Sequence, residues 1–594
     1  MAASRAMREL PPEIFPVPRE LALGGDPPPR GAAPHFARDA SLPAQGYAIA
    51  ADRAGVRVAH ADDAGRRYAE DTLAQLARAH GGALPGLALR DWPDFAVRGF
   101  LLDVSRDRVP TRDTLAHLVA RLARLRFNHL ELYTEHTFAY SGHEPAWRDA
   151  SPITPDDVRW LDRLCAEHGI ELCANQNTFG HMERWLRHAE YRERAEAPDG
   201  WATPGGGRRP PSVLAPTPEN AAFALDLVRE LASHFASRRV NINGDEPFEL
   251  GTGRSRDAVA ARGRGPVYLE HLLRLVEGVR ADGREALFWG DILHHHPELV
   301  AELPRRDAIA LLWHYEAPDP PLPDVVRAAL APYGISAQML RGFAGQVDAF
   351  AEHAMPFWVC PGTSSWNSLV GRVGNARANL RDAAEVGLAR GATGYLLTDW
   401  GDNGHLQPPS VSFAPMLDAA GLAWNAERHC DLDLGDRLDA LVFEDEARAL
   451  GRACTAMGEL GARTGLVGFN ASPLHAALFS SSMLLAMGTP DPRAATAVAE
   501  SVDALVADLS RARPRCGDGA IAVRELAQAL RLAQLGAWRL ARRAGATTPD
   551  DTALRAQLAD AIEEQRACWL ARARPGGLAD SIARLEQALA ELRA

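Results

Sequence analysis

Lysine is missing from this sequence, and cysteine is scarce. All 65 basic residues are arginines; genomic base composition explains this bias, and it excludes any mechanism that forms a Schiff base on a lysine amine. The seven cysteines among 594 residues are scattered, odd in number and without a CxxC pair. This pattern is typical of reduced, buried thiols, and it argues against a disulfide framework or a zinc site.

Other features that the sequence lacks narrow the range of partners. No apolar stretch reaches the length of a membrane span, and the net charge of −12 argues against a nucleic-acid partner. Residues 1–20 lack a basic start followed by an apolar core, so we expect no secretory signal. The sequence therefore favours a cytoplasmic protein with neither a nucleic-acid nor a membrane partner.

The chain is long enough for two or three domains, and its residue pattern changes twice. Residues 10–93 contain short alternating segments and one helical stretch at 68–80, which predicts a small α+β domain. Residues 95–425 repeat a strand, a loop and a helix. Residues 428–594 are rich in Ala, Leu and Arg with helical periodicity, which predicts an α-helical domain for packing or homo-oligomer formation rather than catalysis.

The middle region predicts an α/β fold built on a (β/α)₈ TIM barrel. Eight strand-like runs alternate with helical patterns at 99–104, 129–133, 171–175, 240–243, 286–289, 308–313, 357–360 and 394–397. Thr111, Thr154 and Thr217 stand where hydroxyl N-caps would begin three of the helices. A doubly wound open sheet is the competing architecture, but no GxGxxG turn follows the first strand.

Polar and aromatic side chains follow the predicted strands, where a barrel of this kind holds its active site. They are Asp103, Arg106, Glu135, Asn177, His181, Asp245, Glu246, Trp289, Asp291, Trp313, Tyr315, Trp366, Trp400 and Asp402. Aromatic faces pack on the apolar face of a pyranose, and carboxylates and amides bind its hydroxyls. We interpret Asp103 and Arg106 as a structural ion pair. The other residues in this list predict a site that binds a sugar.

Asp245 and Glu246 are the candidate catalytic carboxylates. A helix N-cap beside a solvated carboxylate is the simpler interpretation of such a pair. The apolar approach at 240–243 and the following Gly244, which lets a backbone turn close to a ligand, favour an active site. Neighbouring carboxylates in a partly dry site can differ in pKa, which leaves one acid and one anion.

Several segments resemble glycoside hydrolase family 20, the β-N-acetylhexosaminidases, in a bacterial intracellular-type branch. They are RGFLLDVSR at 98–106, YTEHTF at 133–138, FGHM at 179–182, NGDE at 243–246 and TDWGD at 398–402. FPVPR at 15–19 and DTLAQL at 71–76 are similar to the small domain that precedes the family's barrel. The resemblance extends from about residue 15 to 425 and leaves out the helical tail.

The resemblance implies a retaining, substrate-assisted mechanism without a cofactor or metal, acting on a small saccharide or glycoconjugate with a terminal β-linked N-acetylhexosamine. Glu246 would be the general acid and Asp245 would hold the acetamido N–H. The family arginine that binds ring hydroxyls is carried onto Arg98. The resemblance further implies that Trp289, Trp313 and Trp400 wall the sugar pocket and that Asp402 binds outer hydroxyls.

Other positions keep two interpretations. Glu135 and Asn177 would bind sugar hydroxyls or tie barrel loops together, and Trp366 would line the pocket or cap the barrel. His181 would lie beside the acid. The His294-His295-His296 run fits a solvated loop better than a metal site, because consecutive side chains diverge.

One departure from the family pattern leaves the function open. The segment CPGTSSWN at 360–367 lacks the tyrosine that usually binds the acetamido oxygen, and Tyr315 is the candidate substitute. A β-hexosaminidase that acts on a non-acetylated sugar is one alternative function. A non-catalytic sugar-binding protein is another, although such a protein does not need a general acid.

Overall fold

The computed structural model describes residues 10–203, 206–333, 335–429, 432–479 and 481–592. Its N-terminal part is a five-stranded sheet in the order β1-β5-β3-β4-β2, in which only the β2–β4 pair is parallel. The helix Asp63–Ala79 packs on this sheet, with the Asp62 side chain as its N-cap. The strands are β1 (Glu20–Leu23), β2 (Pro34–Arg38), β3 (Tyr47–Asp52), β4 (Gly55–His60) and β5 (Leu87–Asp91).

Eight parallel strands form a closed barrel, as the sequence predicts. The last strand closes on the first, with Gly394 opposite Val97. The strands are almost entirely buried because helices cover their outer faces and side chains fill the interior. They are β6 (Val97–Asp103), β7 (His129–Tyr133), β8 (Glu171–Asn175), β11 (Arg239–Asn241), β12 (Glu285–Trp289), β13 (Ala308–Trp313), β14 (Phe357–Cys360) and β15 (Gly394–Asp399), with a small hairpin of β9 (Trp201–Ala202) and β10 (Arg208–Arg209) before β11.

The predicted N-caps begin three barrel helices. The hydroxyls of Thr111, Thr154 and Thr217 each accept a hydrogen bond from a backbone N–H in the first helical turn. The α-helices of this region are Arg112–Arg124, Glu144–Trp147, Pro155–Glu167, Glu183–Leu186, Ala189–Arg192, Pro218–Ala232, Arg256–Arg262, Arg264–Ala281, Asp291–His294, Asp324–Leu330, Asp348–Glu352, Val373–Arg390 and Phe413–His429. Short 3₁₀ turns lie at Arg148–Ala150, Pro297–Glu302, Ala331–Tyr333, Met339–Arg341, Phe343–Gly345 and Pro409–Ser412.

The C-terminal part is helical throughout the residues that the structure describes. Its α-helices are Leu434–Leu438, Leu450–Met457, Pro473–Phe479, Ser481–Ala486, Pro492–Leu509, Gly519–Arg543, Asp551–Arg572 and Leu578–Glu591, with a π-helical turn at Asp439–Phe443 and a 3₁₀ turn at Ala462–Thr464. Within the described ranges, no helix combines the length and the apolar character that crossing a membrane requires.

Buried ion pairs join this helical part to the barrel. Arg121, on a barrel helix, contacts Asp518 at 2.9 Å, and Arg572 contacts both Asp518 at 2.7 Å and Glu525 at 2.8 Å. All four side chains are nearly inaccessible to solvent. Because a buried charge is costly unless it is paired, this cluster fixes the helical part against one side of the barrel.

Candidate active site

A cavity of about 430 Å³ opens at the carboxyl ends of the barrel strands. Seven residues predicted from the sequence line it: His181, Asp245, Glu246, Trp313, Tyr315, Trp400 and Asp402. They lie at or just after the ends of four different strands, so the closure of the barrel brings together side chains that are up to 221 positions apart in sequence. The cavity is large enough for a sugar ring and part of its substituent.

The loop after β11, which carries Asp245 and Glu246, has a strained backbone. Asn243, Gly244 and Glu246 have φ angles of 54°, 89° and 45°, all in the left-handed region. The backbone N–H of Glu246 donates to Asp291 Oδ2 at 3.2 Å, and Trp289 Nε1 donates to Asn243 Oδ1 at 2.8 Å. Such a conformation persists only where the surroundings hold it, and it is found most often at functional sites.

His181 lies between three carboxylates. Its Nε2 is 3.3 Å from Asp245 Oδ2 and 3.6 Å from Glu246 Oε2, and its Nδ1 is 4.0 Å from Glu135 Oε1. Burial alone would lower the pKa of this imidazole, but the neighbouring carboxylate of Asp245 outweighs that effect and raises the pKa to about 9. At neutral pH His181 is therefore a cation that contacts both candidate catalytic residues.

The environment of Glu246 favours its protonated form. Burial among protein atoms and the adjacent negative charge of Asp245 raise its pKa above the usual range, against the opposing charge of His181. About a third of the side chain remains open to the cavity, at 33 % exposure. A carboxylic acid with a raised pKa that still reaches bound substrate is suited to general acid catalysis.

Asp245 lines the cavity and has a buried carboxylate oxygen without a hydrogen-bond partner. Its side chain is buried, and among the described residues no donor lies within hydrogen-bonding distance of Oδ1. Asp291 lies behind it, where burial and the charge of Asp245 raise the pKa of Asp291 to about 8. A buried carboxylate oxygen normally has a partner, and one without a partner is typical of a functional position.

The structure corrects the assignment of Arg98 to the sugar site. Arg98 begins β6 at the opposite end of the barrel, where it is 1 % exposed. Its guanidinium donates to the backbone carbonyls of Arg126 and Phe95 and to the Tyr68 hydroxyl, and it lies 5.0 Å from the Trp424 ring. These contacts join the barrel to the N-terminal sheet and its helix and leave no group for a ligand in the cavity.

Arg106, just beyond the end of β6, is the arginine that lines the cavity. It pairs with Asp103 at 3.0 Å, as predicted, but also approaches Asp402 at 3.5 Å and Glu135 at 3.9 Å. Its guanidinium lies 5.0 Å from the Trp400 ring. The fork of donors is therefore held against an aromatic wall of the cavity, which suits recognition of neighbouring hydroxyls.

Two matched substitutions separate these roles. We expect Arg98→Met to lower the free energy of unfolding by about 3 kcal/mol, because several buried acceptors lose their donor, while kcat/KM changes less than about threefold. We expect Arg106→Met to lower kcat/KM at least about tenfold, because charge-assisted contacts to substrate are lost. Chemical denaturation and initial rates on an aryl glycoside measure both. A large loss of kcat/KM in folded Arg98→Met would contradict this placement.

Four other predicted residues lie outside the lining of the cavity and support it. Glu135 accepts a hydrogen bond from Tyr133 at 3.2 Å, and Asn177 Nδ2 donates to the Thr134 carbonyl at 3.1 Å, so Asn177 ties two loops together. Trp289 is fully buried, with its ring centre 6.1 Å from that of Trp400. Trp366 is 2 % exposed and packs edge-on against Tyr315 at 5.1 Å.

The described residues contain one group of three side chains with metal-ligand spacing, and it lies within the barrel interior. His129, Glu131 and Cys173 are all buried. The Glu131 carboxylate already accepts hydrogen bonds from His129 at 2.9 Å, Asn175 at 2.8 Å and Asn241 at 2.7 Å. These contacts satisfy the carboxylate as part of a polar network, so the group gives no reason to assign a metal.

Part of the cavity wall comes from residues that the sequence analysis did not connect with the site. Glu316 follows β13, and Val467, Phe469, Asn470, Met483, Ala486 and Met487 come from the helical C-terminal part. No local motif marks these positions, and only the path of the chain in three dimensions brings them to the barrel. The prediction that the helical part serves packing or homo-oligomer formation rather than catalysis is therefore incomplete, because this part also contributes to the cavity wall.

Comparisons with known proteins agree with this architecture. Residues 11–92 match the model described as glycosyl hydrolase family 20, domain 2, and residues 95–322 match the family's catalytic domain, together more than half of the chain. The lacto-N-biosidase of Bifidobacterium bifidum is 25% identical over 218 residues, which are 36% of this chain and 18% of that protein. Human hexosaminidase D is 26% identical over 218 residues, 35% of this chain and 43% of that protein.

The chain thus matches less than half the length of either relative. Among solved structures, the chitobiase of Flavobacterium johnsoniae is similar over 97% of this chain and 99% of its own, with a TM-score of 0.55 and 14% identity. At that identity the likeness concerns the fold. The two family models, the closed barrel and the arrangement of its N-terminal sheet lead to one conclusion: the chain belongs to glycoside hydrolase family 20.

Proposed function

We propose that this protein is an exo-acting, retaining β-N-acetylhexosaminidase that removes terminal β-linked GlcNAc or GalNAc. One observation carries the proposal: Asp245 and Glu246 reach the same cavity, where Asp245 has an acceptor without a partner and Glu246 has a raised pKa. The first is suited to hold an acetamido N–H, and the second to protonate a leaving oxygen.

The reaction proceeds with help from the substrate, which is the family's exception to the scheme of two enzymic carboxylates. Glu246 donates its proton to the glycosidic oxygen while the acetamido oxygen of the sugar attacks the anomeric carbon. The bond to the aglycone breaks, and a cyclic oxazolinium ion forms. Glu246, now a carboxylate, takes a proton from the water that opens this ring, so the β configuration is retained.

Asp245 and His181 adjust the charge during these steps. The Asp245 carboxylate holds the acetamido N–H and stabilises the positive charge that develops on the oxazolinium ring. The His181 cation, 3.6 Å from Glu246 Oε2, stabilises the Glu246 carboxylate once its proton has left. His181 is a positioning residue, because it acts through the two carboxylates that it contacts.

Aromatic rings and Arg106 define the sugar pocket. Trp313 and Tyr315 stack with ring centres 5.1 Å apart and an interplanar angle of 15°, and Trp400 stands 6.4 Å from Tyr315. These faces suit the apolar face of a pyranose, while Arg106 and Asp402 provide partners for its outer hydroxyls. Residues 360–367 lack the tyrosine that usually binds the acetamido oxygen in this family. Tyr315 lines the cavity, and we assign this role to it.

The acetamido group itself provides the test. An aryl β-N-acetylglucosaminide should be hydrolysed at least about 100-fold faster, as kcat/KM, than the matching aryl β-glucosaminide, because only the former carries the internal nucleophile. Comparable rates on both sugars would contradict the substrate-assisted mechanism, and activity on neither would favour a sugar-binding protein. Comparison of the GlcNAc and GalNAc glycosides in the same assay establishes the preference at the 4-hydroxyl.

A further inference from the structure

The cavity continues beyond the sugar pocket into an apolar annex. One wall is the helix Asp324–Leu330 with the turn that follows it, and the facing wall comes from residues 467–470 and 483–487 of the helical C-terminal part. Its lining includes Leu330, Ile335, Met339, Val467, Phe469 and Met487. The annex belongs to the same cavity as Asp245 and Glu246, so a molecule bound at the carboxylates has a hydrocarbon-lined space beside it.

Most of the residues that line the cavity on the side of the annex are apolar. Glu316, a charged side chain in the lining, is bound by Arg372 at 2.9 Å through Oε1, which also accepts from the backbone N–H of Asn470 at 2.8 Å. A second sugar unit needs partners for its hydroxyls, and leaving them unpaired is costly. A hydrocarbon group incurs no such cost, and its burial here is favourable.

Two exposed apolar side chains lie on the helices that line the annex. Val325 is 70 % exposed and Leu485 is 67 % exposed, the two highest values among the large exposed hydrophobic residues that the structure describes. Val325 lies on the helix Asp324–Leu330 and Leu485 on Ser481–Ala486, which are the helices that carry lining residues on either side of the annex. Both helices therefore carry apolar residues in addition to those that line the annex.

The facing wall is anchored to the barrel. Asn470 Oδ1 accepts from Trp366 Nε1 at 2.8 Å, and the Asn470 carbonyl accepts from Asn367 Nδ2 at 3.2 Å. Ser472 N–H donates to the Asn367 carbonyl at 2.9 Å. Because these bonds tie the wall to the loop after β14, the annex is a built part of the site and keeps its place relative to Tyr315 and Trp366.

We propose that the annex is an aglycone subsite for a hydrocarbon group, so that the preferred substrates are N-acetylhexosaminides with an alkyl or other extended apolar aglycone. This inference rests on the proposed function. The sugar lies between the carboxylates and the aromatic rings. The leaving group, with Glu246 as its proton donor, extends between the helix Asp324–Leu330 and residues 467–470 and 483–487.

Methyl, butyl and hexyl β-N-acetylglucosaminides test this subsite, with released GlcNAc as the common readout. The three alcohols are almost equally poor leaving groups, so differences in kcat/KM report contacts with the aglycone. We expect kcat/KM to rise at least about tenfold from methyl to hexyl, since burial of two methylenes suffices for that factor. Equal values across the series would overturn the proposal.

Two substitutions at neighbouring positions test whether the gain in kcat/KM from methyl to hexyl arises in the annex. Ala329 lines the annex, whereas Ala328 is equally exposed on the same helix and lies outside the lining. Ala329→Asp should remove most of the gain from methyl to hexyl, whereas Ala328→Asp should keep the wild-type rates and the wild-type gain. If the gain survives in Ala329→Asp, the apolar aglycone binds elsewhere and the assignment is wrong.

The same assay separates failure of this inference from failure of the proposed function. Hydrolysis of all three alkyl glycosides at equal efficiency contradicts the subsite and leaves the hexosaminidase activity intact. Release of GlcNAc from none of them, nor from the aryl glycoside, contradicts the activity, and the aglycone assignment falls with it. Circular dichroism and thermal unfolding of both aspartate variants verify that they are folded.

Discussion

Glu246→Gln is expected to lower kcat/KM for methyl β-N-acetylglucosaminide by about a thousandfold, because glutamine cannot protonate the departing oxygen. The pKa of Glu246 is raised by burial and by Asp245. In the wild type, kcat/KM should therefore fall on the alkaline side as this acid loses its proton. That alkaline limb should disappear in Glu246→Gln. Initial rates between pH 4 and pH 10 measure both effects.

The leaving group supplies an internal control for this variant. A dinitrophenyl glycoside departs without protonation, so its kcat/KM should fall far less than that of the methyl glycoside. Glu277→Gln, an exposed change on the helix Arg264–Ala281, is the matched control and should retain wild-type rates. Equal losses on both glycosides would show that Glu246 is not the proton donor.

Asp245→Asn should lower kcat/KM for the acetylated aryl glycoside by about 100- to 1,000-fold, mainly through kcat. The charge that stabilises the oxazolinium ring is lost, whereas most of the contacts with the bound substrate remain. The ratio of acetylated to unacetylated rates should shrink, since Asp245 serves only the acetamido pathway. An unchanged ratio would contradict this role.

His181 provides a readout of Asp245→Asn that does not depend on turnover. Asp245 is the main cause that raises the pKa of His181 to about 9, so neutralising it should lower that pKa markedly. Titration of the imidazole by NMR measures the change. The same titration in Glu277→Gln should reproduce the wild type, because that carboxyl lies on an exposed helical surface.

The architecture of the barrel is predictable because the signal is local and repeated. A run such as 308–313 is short and apolar, and the structure places a strand at Ala308–Trp313. Because the strands are parallel and the barrel closes, the residues after each strand lie at the same end of the barrel. For this reason His181, Asp245, Glu246, Trp400 and Asp402 are found together in the cavity although their motifs are widely spaced in sequence.

The error at Arg98 shows where sequence reasoning reaches its limit. Arg98 is the second of the seven residues of β6, Arg106 lies three residues past its end, and both belong to the same segment that resembles the family. The strand rises about 3.3 Å per residue, so its ends lie roughly 20 Å apart, at opposite ends of the barrel. A resemblance identifies the segment, but the direction of the strand decides which arginine reaches the site, and that arginine is Arg106.

The contribution of the helical part is beyond local patterns altogether. Residues 467–470 carry no motif, and their neighbours in the cavity are at 326–339 in the chain. Contacts at such separations follow from how a helical domain packs on a barrel, which periodicity does not specify. For the same reason, the sequence does not predict the hydrogen bond that Trp366 donates to Asn470.

Residues 467–470 and 483–487 also place catalysis and aglycone binding in different parts of the chain. The carboxylates and Arg106 belong to the barrel, whereas half of the annex belongs to an appended helical part whose segment rests on the barrel through Asn470 and Ser472. Exchange of residues in that segment would alter which aglycones are accepted and leave the reacting groups untouched. In evolutionary terms, the chemistry is inherited with one module, and the choice of leaving group can drift with another.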